Sequence, residues 1–200
     1  GRSAGSASVT ALAKRNYISS AGGTSVTGTS VGDAQLNIAE TPKATTTSKG
    51  NGVLTSAQIY EKVSPSNVGI VVYSQSSSSA SGEGSGIVMG ENKDHTYTYI
   101  ITCAHVISGE GVKAVVQLHD GTQYDAEIVG YDSRTDIGVL KIKATGFTAA
   151  EFGDSTKLSV GETVYAIGNP GGTEFFGSFT NGMVSAISRT VSSQIGYSME

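Results

Sequence analysis

The sequence predicts an all-β fold, and three observations point to it. The chain of 200 residues contains 27 glycines, 3 prolines and no tryptophan, a composition that suits many turns between strands. Its apolar runs are short and rich in Val and Ile, as is typical of strands. Asp120-Gly121 separates two such runs, and this dipeptide is a strong signal for a hairpin turn.

A short helix is predicted before the strands. Thr55 or Ser56 can cap it, Ile59 and Val63 lie four residues apart on one face, and Pro65 ends it. Eight strands are then predicted along the chain, at residues 68–73, 85–89, 97–102, 112–118, 123–129, 137–142, 163–167 and 182–187.

These strands fall into two groups. Six end by Ile142 and can close a first β-barrel within residues 66–143. A second barrel begins near Phe152, but the two remaining strands are too few to close it and leave an open edge. We therefore predict an extension at 1–56, a first barrel at 57–145 and an incomplete second barrel at 146–200. The missing strands are expected from a continuation of the chain or from a second polypeptide.

The first 56 residues differ in composition from the rest. Gly, Ala, Ser and Thr fill 34 of these positions, and Tyr17 is the one aromatic residue. Such a segment has little apolar mass to offset its ordering entropy. It is predicted to be an extended linker, one that spaces a catalytic domain from a membrane anchor or cell wall. The alternative is that the segment docks on another surface.

Charge and cysteine content exclude several classes of protein. The net charge is −4 and charged residues make up 15% of the chain, so no basic footprint for nucleic acid is present. Cys103 is the one cysteine and cannot form an internal disulfide. The fold must then depend on its apolar core.

Two segments carry the residues with candidate catalytic chemistry. Residues 99–106 (YIITCAHV) form an apolar strand that runs into His105 at its end. Residues 134–142 (RTDIGVLKI) place Asp136 at the start of another apolar strand, where a carboxylate needs a partner. A catalytic histidine needs an acceptor for its Nδ1–H so that Nε2 faces outward as a base. We predict that Asp136 is that acceptor.

The series of motifs resembles the HtrA (Deg) family of trypsin-like serine proteases, from about residue 59 to residue 200. The motifs occur in the family's order at residues 84–88 (GSGIV), 101–106 (ITCAHV), 135–142 (TDIGVLKI), 152–155 (FGDS), 160–162 (VGE), 166–170 (AIGNP) and 180–186 (TNGMVSA). The resemblance implies a chymotrypsin-like double β-barrel, with the first barrel complete and the second incomplete in this chain. It also implies a Ser-His-Asp triad with His105 as the base and Asp136 as the residue that orients it.

The sequence departs from the family pattern in two ways. Cys103 stands where the family commonly has Asn, a change expected to be tolerated beside the histidine. The family's nucleophile motif, GNSGG, occurs nowhere in the 200 residues. A triad without its serine loses a rate factor of order 10⁶ in the best-studied case. The chain alone is therefore expected to be inactive.

The resemblance implies a serine endopeptidase that acts on unfolded or misfolded proteins outside the cytoplasm of a bacterium, secreted or attached to the cell envelope. It implies no metal or organic cofactor, a trimeric assembly and a downstream PDZ domain. The nucleophile would come from a serine-bearing carboxy-terminal segment or a second chain. The alternative hypothesis is a non-catalytic protease remnant that binds peptides or a partner protein through its open edge by strand addition.

Three serines resemble nucleophiles but are interpreted otherwise. Residues 28–32 (GTSVG) fit the G-x-S-x-G pattern in a tract with no predicted strand or helix beside it, so the match is ascribed to chance. Ser155 follows Gly-Asp, but Thr and Lys follow it where an oxyanion turn requires glycines, so it is predicted to be a turn residue. Ser85 is predicted to be a packed strand position.

The other histidines and the rival acid are predicted to be surface residues. His95 lies in a charged loop, His119 at a hairpin tip, and Asp132 in a turn four residues before Asp136. The three histidines lack the spacing of a metal site.

Overall fold

The computed structural model describes residues 30–31, 36–40, 53–74, 79–109, 111–187, 191–192 and 198–199. Two helices are α1 (Ser56–Val63) and α2 (Ala104–Ile107). The strands are β1 (Ser30–Val31), β2 (Asn67–Tyr73), β3 (Ala80–Glu91), β4 (Thr98–Cys103), β5 (Lys113–Gln117), β6 (Gln123–Asp132), β7 (Ile137–Ile142), β8 (Thr163–Gly168), β9 (Ser178–Met183), β10 (Val191–Ser192) and β11 (Ser198–Met199). No helix in these ranges is long and apolar enough to cross a membrane.

Six of these strands form a closed antiparallel barrel. The order β6-β5-β2-β3-β4-β7 returns to β6, because β6 also pairs with β7. Closure leaves no exposed sheet edge within this set of strands. The predicted fold class is therefore confirmed: the chain is all-β, with a complete first barrel.

The barrel interior is filled by branched aliphatic side chains. Its buried members are Val68, Ile70, Val72, Val88, Ile100, Ile107, Ala114, Val116, Leu140 and Ile142. Gly86 faces this interior, and a Cβ placed there would lie 2.8 Å from Ile100 Cγ2 and 3.0 Å from Ile70 Cδ1. The glycine therefore leaves room for the neighbouring side chains that complete the core.

The helix α1 begins and ends where the sequence predicts. Thr55 caps it, and a capping box joins the Thr55 side chain to the Gln58 backbone and the Gln58 side chain to the Thr55 backbone. A 3₁₀ turn with Pro65 in its first turn follows the helix and leads into β2. The prediction of this helix is confirmed.

The second sheet beside the barrel contains two strands among the described residues. β8 pairs with β9 antiparallel, from Thr163 opposite Met183 to Gly168 opposite Ser178. The predicted strand at 182–187 was therefore wrong, since only its first two residues belong to β9. The mostly apolar residues 183–187 (MVSAI) suggested a strand, but the register with β8 sets its ends. We call β8, β9 and their connection the second-barrel hairpin.

A buried asparagine ties the second-barrel hairpin to the barrel. Asn169 follows β8 and is 3% exposed. Its Nδ2 donates to Val68 O at 2.8 Å, and its Oδ1 accepts from Asn67 Nδ2 and from Gly177 N, each at 2.9 Å. Its backbone N–H donates to Ser85 Oγ at 2.8 Å. One side chain thus links β2 of the barrel with Gly177, the residue that precedes β9.

Part of the predicted linker packs on the barrel. Leu36 and Ile38 are 5% and 1% exposed, and they form a second buried cluster with Met89, Tyr99 and Val139. Ile38 also forms an isolated bridge with Asn92, and Ala39 N donates to Glu91 O at 2.7 Å. Most of residues 1–56 lies outside the described residues.

Candidate active site

Antiparallel pairing brings the two predicted site residues together. β4 pairs with β7 so that Cys103 lies opposite Ile137. The chain leaves β4 into α2, whose second residue is His105, and it enters β7 directly after Asp136. Since the end of one strand lies beside the start of the other, residues 31 positions apart in sequence become neighbours.

His105 and Asp136 are joined by short hydrogen bonds. His105 Nδ1 lies 2.8 Å from Asp136 Oδ2 and 3.0 Å from Oδ1. An ionised carboxylate only accepts hydrogen bonds, so Nδ1 is the donor in this contact, and in the neutral ring Nε2 then presents its lone pair. The imidazole side chain is 53% exposed, whereas the carboxylate is 15% exposed. The pair thus offers an oriented base to the solvent side.

Backbone contacts also fix the carboxylate. Asp136 Oδ1 accepts from His105 N at 2.9 Å, and the Asp136 carbonyl accepts from Ala104 N at 3.1 Å. Asp136 has φ +54°, a left-handed conformation that few non-glycine residues adopt and that Asp tolerates better than most. Such conformations persist where surrounding contacts enforce them, as they do here.

Asp132 builds the turn that presents Asp136, and its predicted surface position was wrong. It is 8% exposed at the end of β6. Its Oδ1 accepts from Arg134 N and its Oδ2 accepts from Thr135 Oγ1, each at 3.0 Å. An Asp side chain that bonds to the backbone two residues later is a common turn former. The residue is buried because the turn it stabilises lies against the barrel end.

Cys103 borders the pair, as the residue that precedes α2. It is free and solvent-accessible. Partial burial raises the pKa of its thiol, and the Asp136 charge and a hydrogen bond to that carboxylate raise it further. A raised pKa lowers the thiolate fraction at neutral pH, so the thiol is a weaker nucleophile than a free surface cysteine. Its proximity to His105 follows from their positions two residues apart, whereas its proximity to Asp136 depends on the β4–β7 register.

The serines that resemble nucleophiles lie outside this site. Ser155 begins a 3₁₀ turn capped by Asp154, which confirms its interpretation as a turn residue. Ser85 lies in β3, where its Oγ accepts from Asn169 N and its carbonyl accepts from Thr102 Oγ1, which confirms a packed strand position. Ser30 and Val31 form β1, with Ser30 opposite Asp132 of β6, and the three glycine and threonine residues of the GTSVG pattern lie outside the described residues.

The other two histidines are exposed, as predicted. His95 has a 69% exposed side chain, and its Nδ1 lies 2.6 Å from Glu91 Oε2. The pKa of Glu91 is lowered first by the hydrogen bond from Gly146 N and then by His95. His119 lies in the turn after β5, with its ring edge-on to Phe176 at a centroid distance of 5.6 Å.

A closed six-stranded antiparallel barrel with a His–Asp pair at its strand ends is the arrangement of the first half of a trypsin-like peptidase. The sequence model of the family described as a trypsin-like peptidase domain matches residues 84–199, which is more than half of the chain. The chain therefore belongs to the trypsin-like peptidases, and its relatives include proteins named HtrA.

Those relatives are named as serine proteases. The chain is 43% identical over 120 residues to "Serine protease Do-like HtrA" of Bacillus subtilis (strain 168), which covers 60% of this chain and 26% of the relative. It is 42% identical over 107 residues to "Probable periplasmic serine endoprotease DegP-like" of Halomonas elongata, over 54% of this chain and 21% of the relative. The matched region spans about a quarter of the length of these relatives.

Proposed function

We propose that this chain supplies the general base and the orienting acid of an HtrA-type serine endopeptidase. His105 Nε2 takes the proton from a serine hydroxyl as it attacks the peptide carbonyl, and later gives that proton to the leaving amine. Asp136 holds the imidazole in the tautomer with Nδ1–H and stabilises the imidazolium that forms. The observation that carries the proposal is the 2.8 Å contact between His105 Nδ1 and Asp136 Oδ2.

The serine would come from a serine-bearing segment, as a continuation of the chain or as a second chain. Apolar side chains on and beside the second-barrel hairpin support a covering segment: Val160, Met183 and Ile187 are 62%, 68% and 53% exposed. Further strands paired with β8 and β9 would bury these side chains and complete the second barrel.

The proposed substrates are unfolded or misfolded proteins outside the bacterial cytoplasm. The names of the relatives support protease activity, and the word "periplasmic" in several of them supports an extracytoplasmic location. Assembly as a trimer is part of the same proposal and is supported by the family resemblance.

A fluorophosphonate probe tests the proposal, because it phosphonylates only an activated serine, whose oxygen displaces fluoride from phosphorus. We expect the complete protein, with its serine-bearing segment, to be labelled on a serine in that segment. His105→Ala should slow labelling by orders of magnitude, roughly 10⁶ by comparison with the loss of a catalytic histidine in a well-studied protease. His95→Ala is the matched control, since His95 also contacts a carboxylate and lies on the surface.

Two results would refute the proposal. Labelling of Ser155 or Ser85 would move the site elsewhere. Full labelling of the His105→Ala variant would remove His105 from the mechanism. A complete protein that binds peptides but is never labelled would instead favour a non-catalytic module that acts by strand addition.

A further inference from the structure

We propose that Cys103, His105 and Asp136 form a binding site for a zinc-like divalent cation, which blocks the base when it is occupied. One donor atom from each residue, the thiol sulfur, an imidazole nitrogen and a carboxylate oxygen, lies within 4.8 Å of the other two. The metal site itself rests on this geometry alone. Its inhibitory effect rests on the proposed function.

The spacing of the three donors suits tetrahedral zinc. Zinc binds sulfur at about 2.3 Å and nitrogen or oxygen at about 2.0–2.2 Å, so two ligands on one ion lie roughly 3.3–3.6 Å apart. His105 Nδ1 and Asp136 Oδ2, now 2.8 Å apart, would separate by about half an ångström to admit the ion. The sulfur, within 4.8 Å of the other two donors, would have to reach the same spacing by rotation of the solvent-accessible Cys103 side chain.

The backbone already holds these donors in place. Cys103 and His105 are two residues apart where β4 passes into α2, and Ala104 N between them donates to Asp136 O. Asp136 Oδ1 is held by His105 N at 2.9 Å, which leaves Oδ2 to bind the ion. Preorganised donors lose little conformational entropy on binding.

The mixture of donors selects the type of ion. Thiolate and imidazole ligands favour zinc and cobalt(II), whereas Mg²⁺ and Ca²⁺ prefer sites made of oxygen atoms. Three protein ligands leave a fourth position for water, as in accessible zinc sites. On binding, the Cys103 thiol loses its proton to the solvent, the single proton of the neutral His105 ring moves from Nδ1 to Nε2 by exchange with solvent, and no oxidation state changes.

Occupation of the site would disable the proposed base. The ion replaces the Nδ1 proton, so the hydrogen bond to Asp136 is lost. The one proton of the neutral ring is then on Nε2, which becomes a donor and cannot accept the proton of a serine. The residue that would make zinc binding possible at this His–Asp pair is Cys103, which adds a soft ligand beside His105 and Asp136.

Cobalt(II) is the probe for the binding test, since a thiolate ligand gives an ultraviolet charge-transfer band and tetrahedral geometry gives intense visible bands. We expect one Co²⁺ per 200-residue chain with both features. Cys103→Ser should abolish the thiolate band and weaken Zn²⁺ binding, measured by competition with a chelating dye, by at least about tenfold. Cys103 is exposed, and circular dichroism will verify that the variant keeps its fold.

His95→Ala is the matched control, because His95 and Glu91 form a comparable His–carboxylate contact without a thiol. We expect this variant to bind Co²⁺ and Zn²⁺ as the unmodified chain does. A Co²⁺ spectrum without a thiolate band, equal Zn²⁺ affinity in Cys103→Ser, or an equal loss in His95→Ala would each overturn the site.

A second experiment separates the site from the proposed function. In the complete protein, Zn²⁺ should slow fluorophosphonate labelling reversibly. The labelling rate of each protein is compared with its own rate without metal. Cys103→Ser should need at least about tenfold more Zn²⁺ than the unmodified protein to lose the same fraction of that rate. If the complete protein shows the Co²⁺ thiolate band but is never labelled in the absence of metal, the protease proposal is refuted and the metal site stands. Labelling that Zn²⁺ does not slow, in a protein that shows the band, would refute the inhibition.

Discussion

Replacement of Asn169 by alanine should release the second-barrel hairpin from the barrel. The Asn169 side chain is buried and forms hydrogen bonds to β2 and to the turn before β9. Alanine removes both the amide donor and the carbonyl acceptor while it changes little else at this position. The variant thus isolates the polar contribution of one residue to the attachment of the hairpin.

The size of the effect follows from the groups that lose a partner. Val68 O and Asn67 Nδ2 belong to residues that are 0% and 5% exposed, and Gly177 N is part-buried. An unsatisfied buried polar group costs about 1–3 kcal/mol, so the two most buried groups together cost roughly 2–6 kcal/mol. That is a large fraction of the roughly 5–15 kcal/mol that stabilises a typical domain.

Urea denaturation and hydrogen exchange measure this effect together. We expect Asn169→Ala to lower the free energy of unfolding by that amount, and to raise exchange at amides of β8 and β9 more than at those of β3 and β4. The matched control is Asn181→Ala, an exposed asparagine in β9, for which a change within about 0.5 kcal/mol is expected. Equal stability of the two variants would refute the role assigned to Asn169.

Three further predictions concern the core, the amino-terminal segment and the site. Gly86→Ala should destabilise the chain by about 1–3 kcal/mol in urea denaturation, because its Cβ meets Ile100 and Ile70. Gly153→Ala, with no atom within 4 Å of the added Cβ, should not destabilise it. Equal effects of the two variants would contradict the packing argument. Ile38→Ala should cost about 2–5 kcal/mol if residues 36–40 belong to the folded domain, and an unchanged urea midpoint would show that they do not. Asp136→Asn should speed alkylation of Cys103 near about pH 8, because the loss of the anion lowers the thiol pKa toward its ordinary value and so increases the fraction of thiolate. An unchanged alkylation rate would contradict the proximity of the two groups.

Local patterns in the sequence predicted the elements that depend on local physics. The strand at 137–142 and the helix after Thr55 have the predicted bounds, because an apolar run and a capping box fix them within a few residues. The strand at 182–187 was wrong because the register with β8, a contact between distant residues, decides where β9 ends. Strand ends set by a partner are not visible in one strand's own pattern.

At the site, too, local patterns predicted some features and contacts between distant residues decided others. The pairing of His105 with Asp136 was predictable from the resemblance to a family and from the chemical need of an imidazole for an acceptor. The burial of Asp132 and the left-handed backbone of Asp136 depend on a turn packed against the barrel, which residue spacing does not reveal. The docking of Leu36 and Ile38 had a weak signal, two apolar residues with period two, that the Gly/Ala/Ser/Thr composition around them obscured.

The rate at which a fluorophosphonate probe labels an Asp136→Asn variant of the complete protein tests the central claim most directly. Asparagine keeps the size of the side chain but cannot hold the imidazole in the tautomer with Nδ1–H, so we predict a loss of about 10⁴, as in a related triad. Glu91→Gln is the control, since Glu91 contacts His95 rather than His105, and it should keep the unmodified rate. An Asp136→Asn rate within about tenfold of the unmodified protein would contradict the assignment of His105 and Asp136 as base and orienting acid.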